Sequence, residues 1–445
     1  MKIVTRICIL LFCLSYVGLK AQTQKQNLQK YWDYKDRLTG KDGFGGFLDI
    51  GIGPGMSLAA SERNLEADCE WDWYLRSADC SLRKGKGRLH WGDASLYHGF
   101  YLAILALEYA NLEKANQPTD AVAKELWYAL LTVERLDSMA EVLLGYPAAL
   151  DGFFVRDDVR NDFHYKKEST TKRRFAKNQQ NFNCVSSSAS CGLMQVDQGG
   201  FISQDQVIGL FIGFSCIQSL VPTQKYKDNI GFAAMAALQT DRISSYMLRN
   251  SWKLKGPGGR KIPDKWGGNA LGLSYPIATI ANQITQKKYS KTYLKRGALC
   301  LGLPIFDLLV LSLSMQHQTN RCLALMSLSM LPKRSSKALA RKSIRHDVLL
   351  FPLLKAVLFR QNLPSKINQK ALEKLLDIAP SKGPCFKTKN CEEVPEWQSF
   401  NRWLHPDFKN GNPYGVVAET PGLDYMLLYN LYHFYFHESL PEYRR

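Results

Sequence analysis

The chain has 445 residues, 58 Lys and Arg against 40 Asp and Glu, and a formal net charge of +18. It is 45% hydrophobic and 11% aromatic, which excludes a disordered chain, and its 32 glycines follow no period of three, which excludes a collagen-like repeat. Eleven cysteines are too dilute for a scaffold held mainly by disulfides, while the length suffices to bury a large core.

Residues 1–21 read as a secretory signal peptide. Lys2 and Arg6 form a basic start, an apolar run covers Ile7 to Leu19, and Ala21 offers a small residue before Gln22. The run is shorter than the ~20 residues that a membrane span needs. Cleavage there removes three positive units and two cysteines, leaving +15 and nine cysteines. Export makes disulfides possible. Three close pairs in loop-like sequence are expected to bridge: Cys69 with Cys80, Cys184 with Cys191, and Cys385 with Cys391. Cys216, Cys300 and Cys322 lie in apolar, helix-like sequence and read as buried thiols. There is no CxxC and no HExxH, and the 8 histidines are scattered, so the sequence implies no metal site and no cofactor.

A leading helix is expected over 24–38. The next, 96–112, carries apolar side chains on most faces, as a buried helix does, with Asp93 or Ser95 as its cap. Residues 121–144 follow Pro118-Thr119-Asp120 and end at Gly145 as a helix should. Ser203 caps a helix over 204–220, which stops before Pro222. Gly209 and Gly213 share one face of it and predict close helix packing. Further helices are expected over 226–249, 269–286, 290–316, 318–331, 335–362, 366–379 and 422–438. The stretch Ala298 to Met315 contains Pro304 and Asp307, so it reads as a buried helix and not as a membrane span.

Strand alternation is scarce, so the fold class is all-α. No fixed period occurs, which argues against a regular repeat array. Long connections over 39–92, 146–202, 250–268 and 380–421 alternate with short ones. That pattern fits an (α/α) toroid of about six helical hairpins with its long loops on one rim, as a single domain over 22–445.

Polar groups gather where helices follow the long loops. The first group is Trp91-Gly92-Asp93, running on to His98, Gly99 and Phe100, with Trp71, Trp73 and Tyr74 upstream. The second is Asp151-Gly152-Phe153-Phe154-Val155-Arg156-Asp157-Asp158. The third is Ser203-Gln204-Asp205-Gln206, the fourth Asp264-Lys265-Trp266-Gly267-Gly268-Asn269, and the fifth Glu419 to Tyr425 with Asp424. Asp93 and Asp205 could each simply complement a helix N-terminus, and Asp157 beside Arg156 could fix a loop by ion pairing. The recurrence of carboxylates, Trp and Gly together favours a sugar site, where aromatic faces stack on rings and carboxylates move protons.

These residues resemble secreted six-hairpin (α/α) toroid proteins that act on polysaccharides, with unsaturated glucuronyl and rhamnogalacturonyl hydrolases as the nearest comparison. Asp93 with Gly99-Phe100 resembles one of their inner-helix starts. Asp205 in SQDQVIGLFIGF resembles the start that carries the acid/base aspartate, and Trp266-Gly267-Gly268-Asn269 is loosely similar to a Gly-Asn-Gly-Trp turn. The resemblance implies Asp205 as general acid/base and Asp93 as its partner or a substrate-orienting group. Trp91, His98, Arg156, Asp157, Gln206, Trp266, Asn269, Asp424 and Tyr425 would then contact the substrate. A direct two-carboxylate glycosidase is a close variant, and a lyase using His164 or Tyr165 another. The rival class is a non-catalytic exported glycan-binding or envelope-assembly protein.

Basic clusters lie in the same long loops: Tyr165 to Lys177, Arg83 with Lys86 and Arg88, and Lys253 with Lys255 and Arg260. A basic rim attracts anionic ligands. The expected partner is an acidic oligosaccharide or polysaccharide. No nucleic-acid motif is present, and no membrane span is expected in the mature chain.

Overall fold

The computed structural model describes residues 24–35, 94–143, 146–155, 202–222, 226, 230–252, 255–256, 274–289, 350–358, 362–363, 367–379 and 423–436. About 78% of them are helical and none lies in a strand, so the described part of the chain is all-α. In chain order the helices are α1 (24–35), α2 (Ala94–Lys114), α3 (Asp120–Leu143), α4 (Gln204–Leu220), α5 (Phe232–Arg249), α6 (Ser274–Thr285), α7 (Leu350–Leu358), α8 (Gln369–Ile378) and α9 (Leu423–Phe436). The expected helices over 290–316 and 318–331 and the three expected disulfides lie outside the described residues, as do Cys300 and Cys322. Cys216 is buried and free, as expected.

Where each helix packs follows from its apolar pattern. α4 carries apolar side chains all round and contacts α2, α5, α6 and α7, which makes it the central helix. α2 and α9 are similarly apolar and lie against each other. α8 presents one apolar stripe and buries only Leu372 and Leu376 along it. A continuous apolar core runs from Leu28 and Tyr31 on α1 through Phe211 and Phe214 on α4 to Tyr425 and Tyr429 on α9.

The directions of the helices decide what lies at each end. α2 and α3 form an antiparallel hairpin: His98 Nε2 lies 2.7 Å from the Ala129 carbonyl, and the Tyr101 hydroxyl donates to Glu125. α4 and α5 form a second hairpin, with Gln218 of one bonded to the Ala233 carbonyl of the other. The hairpins lie side by side with like helices parallel. On the α2/α4 seam, Leu96 meets Gly209 and Leu102 meets Gly213. On the α3/α5 seam, Gln239 donates to the Leu130 carbonyl and Arg242 pairs with Glu134. α9 runs parallel to α2 on its other flank, since Asn111 donates to Asn430 and Lys114 to the Phe434 carbonyl.

The α2/α4 seam depends on glycine. A Cβ on Gly209 would lie 2.8 Å from the Leu96 Cα and carbonyl oxygen, and one on Gly99 would run into the Gly209 carbonyl. The two backbones are therefore in contact, as the shared face of Gly209 and Gly213 predicts. The start of α5 differs from expectation, and of the two cap candidates for α2 it is Asp93 that directly precedes the helix. Ser95 is the second residue of α2 and not its cap, and its buried hydroxyl has no partner among the described residues. Ser203 stands at the N-cap of α4 with extended backbone, but its hydroxyl makes no capping bond. α5 begins at Phe232 and not at 226, because Gly231 is its extended N-cap and the Tyr226 amide donates to the Ile230 carbonyl just before it. Among the described residues, no helix is long and apolar enough to cross a membrane.

Candidate functional site

Parallel packing of α2 and α4 brings their first turns to one end of the molecule. Because α3 runs antiparallel to α2, the last turns of α3 reach that same end. The segment 151–155 joins them there: the Val155 amide donates to the Leu136 carbonyl of α3, and the Ile202 amide, just before α4, donates to the Phe154 carbonyl. This end is where the sequence places its long connections over 39–92 and 146–202.

Three carboxylates meet at this end. Asp137 and Glu141 stand four residues apart on one face of α3, and Asp151 arrives from the loop. Their oxygens include a set lying within 4.8 Å of one another. Gly152 holds the loop in place. Its φ of +94° is open to glycine, and a Cβ there would collide with the Arg242 backbone. In that pose the Gly152 amide donates to both oxygens of Asp137, at 3.1 and 3.2 Å. The Phe153 amide donates to Asp151 Oδ1 at 3.0 Å, and the Arg249 guanidinium pairs with Asp151 Oδ2 at 3.0 Å. Asp137 and Glu141 are buried, while Asp151 is half-buried and opens the group to solvent. Among the described residues, no other residue donates a hydrogen bond to either oxygen of Glu141.

Burial dominates the proton affinities here, because removing a carboxylate from water disfavours its charged form. It pushes Asp137 up to about 7; the Gly152 amide and Arg242 act against this, and Asp151 adds to it. It pushes Glu141 up to about 8; its own backbone amide acts against this, and Asp151 and Asp137 raise it further. The group as a whole holds protons, or another positive charge, at neutral pH.

No family model matches the chain, and neither a curated protein nor a solved structure is similar enough to match.

The residues singled out in the sequence fall into three sets. Asp205 lies in the first turn of α4 and Asp424 in the first turn of α9; their side chains lie outside the described residues. Asp93, Trp91, Arg156, Asp157, Trp266 and Asn269 also lie outside them, as do the basic clusters in the loops over 83–88 and 165–177. His98, Gln206 and Tyr425 are described, and all three are buried among helices. His98 faces α3 through the Ala129 carbonyl, and the Tyr425 hydroxyl donates to the Asn27 carbonyl of α1 at 2.8 Å. These partners give His98 and Tyr425 structural work inside the bundle. Sequence reasoning noticed Asp151-Gly152 but passed over Asp137 and Glu141. The available signal was an acid pair spaced i, i+4 near the end of the helix, just before that loop.

A second buried charged group lies further along the same hairpin. Lys35 of α1 reaches Glu108 on α2, at 2.8 and 2.9 Å, and Glu125 on α3, at 3.0 Å. Tyr31 donates to Glu108 and Tyr101 to Glu125. Burial pulls the Lys35 ammonium down, but the two glutamates outweigh it and the net shift is upward. Burial pushes Glu125 up against the pull of Lys35. Each acid here has a cation and a hydroxyl, and the group ties α1 to the α2/α3 hairpin.

Proposed function

We propose that the chain is an exported (α/α) toroid of about six hairpins and a glycoside hydrolase acting on acidic, uronic-acid-containing oligosaccharides by carboxylate acid/base catalysis. The observation that carries this reading is the parallel, backbone-to-backbone packing of α2 and α4. Asp93 directly precedes α2 and Asp205 is the second residue of α4, so both positions belong to one end of the molecule. Two parallel neighbouring helices that each start with an aspartate supply the pair of carboxylates that glycoside hydrolysis uses. In this reading Asp205 is the general acid/base. It protonates the substrate and activates water, which requires a raised proton affinity. Burial raises the proton affinities of Asp137 and Glu141 at this same end. Asp93 orients the sugar or shares the proton work. Helix N-termini such as those of α2 and α4 carry partial positive charge, which favours a uronate carboxylate. Basic side chains in the long loops add attraction for the same charge.

The test is turnover of a panel of saturated and unsaturated acidic oligosaccharides by the parent protein and by Asp205→Asn and Asp93→Asn, with binding measured in parallel. Loss of turnover by at least about 100-fold in Asp205→Asn with binding retained supports the reading, since positioned acid/base groups contribute that much or more. Binding by the parent with no turnover of any substrate overturns it in favour of a glycan-binding protein. Release of an unsaturated product from a saturated substrate overturns it in favour of a lyase.

A further inference from the structure

We propose that Asp137, Glu141 and Asp151 form a binding site for a hard divalent cation, with calcium as the fitting ion. Calcium takes oxygen ligands at about 2.3–2.6 Å, so two oxygens on one ion stand at most about 5 Å apart. The three carboxylates each offer an oxygen within 4.8 Å of the others, close enough for all three to share one ion. Proximity of acids alone would carry little, since acidic groups often crowd without a ligand. The second observation is Glu141. It is 6% exposed, both its oxygens are shut away from solvent, and among the described residues no other residue donates a hydrogen bond to either. An acid buried in that way faces a large desolvation cost unless it holds a proton or a cation.

The surroundings fit a cation better than they fit an ion pair. Gly152 and Phe153 use backbone amides to aim Asp137 and Asp151, and each oxygen so engaged keeps a further lone pair. One guanidinium, Arg249, touches the group, and it does so at the solvent edge through Asp151. The other arginine nearby, Arg242, is engaged with Glu134 at 2.9 Å. Three carboxylates against one contacting arginine leave two negative charges, the complement of a divalent ion. The half-buried Asp151 provides the entry path, and bound waters complete the shell as calcium sites allow. All the ligands are oxygens, so ions that prefer nitrogen or sulfur are disfavoured. The site is independent of the proposed hydrolase activity, because none of its ligands is assigned there as acid or base.

The experiment is thermal unfolding and titration calorimetry of the purified chain, first freed of metal, with calcium chloride, magnesium chloride or zinc chloride as the probe. The expected result is a saturable rise in unfolding temperature with calcium, one ion per chain, reversed by chelator. Glu141→Gln and Asp137→Asn should abolish the rise while keeping the parent's helical circular dichroism. Glu141→Gln keeps the shape and removes a charge, so its metal-free form should be at least as stable as the parent's. If either variant fails to fold, Asp151→Asn, at the exposed edge, and calorimetry on the parent still decide. No calcium heat and no rise in the parent would overturn the proposal and leave a proton-sharing carboxylate group. An equal rise in Glu141→Gln would overturn the location, tighter binding of zinc would overturn the class of ion, and tighter binding of magnesium would overturn the choice of calcium.

Discussion

Two groups of buried acids lie on the same α2/α3 hairpin and differ in one respect, the supply of positive charge. Around Lys35, Glu108 and Glu125 each have an ammonium and a phenol hydroxyl, and all the partners are interior. Around Glu141, three acids share two backbone amides and one arginine at the solvent edge. A buried charge is tolerable when its partners travel with it inside the fold. The first group therefore reads as a strut between α1, α2 and α3. The second is short of positive charge and opens toward the long-loop end, which is what a site awaiting something from solution looks like.

That contrast breaks most sharply at Lys35. Lys35→Met should destabilise the protein by about 3–5 kcal/mol in chemical denaturation, because it leaves two buried carboxylates without their cation. A loss below about 1 kcal/mol would show that water reaches the group and that it is no strut. Gly99→Ala should come next, at about 3 kcal/mol, since the added methyl meets backbone at Gly209 and the helices must part. The Gly209→Ala change probes the same seam from the other side, and the two should be strongly non-additive because each forces the same two helices apart.

Gly152→Ala should cost about 1–3 kcal/mol, through its positive φ and its contact with the Arg242 backbone. It should also weaken calcium binding, because it withdraws the amide that aims Asp137. No change in calcium affinity would separate the loop from the carboxylates.

The smallest expected effect is a pH trend in the metal-free protein. Asp137 and Glu141 have raised proton affinities in the fold, near 7 and 8, so the native state holds more protons than the unfolded chain between about pH 4 and 8. Stability should therefore fall as pH rises through that window. The facing groups are Asp151 from the loop and Arg242, Tyr246 and Arg249 from α5. Calcium should flatten the trend by taking the place of the protons. A metal-free protein whose stability rises steadily from pH 4 to 8 would contradict the burial of these two acids.

Much of the helical order was legible because apolar periodicity survives without context. The run from Gln204 to Leu220 was readable end to end, since Ser203 and Pro222 punctuate it and its apolar residues cover every face. Gly209 and Gly213 announced a close approach, although the sequence could not say that Leu96 and Gly99 lie across it. The start of α5 differs because Tyr226 and Ile230 keep the i, i+4 spacing of a helix face across Lys227-Asp228-Asn229, while Gly231 decides the boundary. The site was less legible. Asp137 and Glu141 resemble ordinary acids of an exposed helix face until Asp151 is brought beside them by a loop whose path depends on Gly152. His98 and Tyr425 sit next to polar motifs in the sequence, and in the fold each meets a backbone carbonyl of a neighbouring helix.

The central claim is that function gathers at the end where α2 and α4 begin and α3 finishes. Hydrogen–deuterium exchange with and without a bound acidic oligosaccharide tests it most directly. The account predicts added protection in peptides covering 91–98, 137–155 and 202–208. Protection confined to the opposite end, at 112–120 and 218–232, would contradict it.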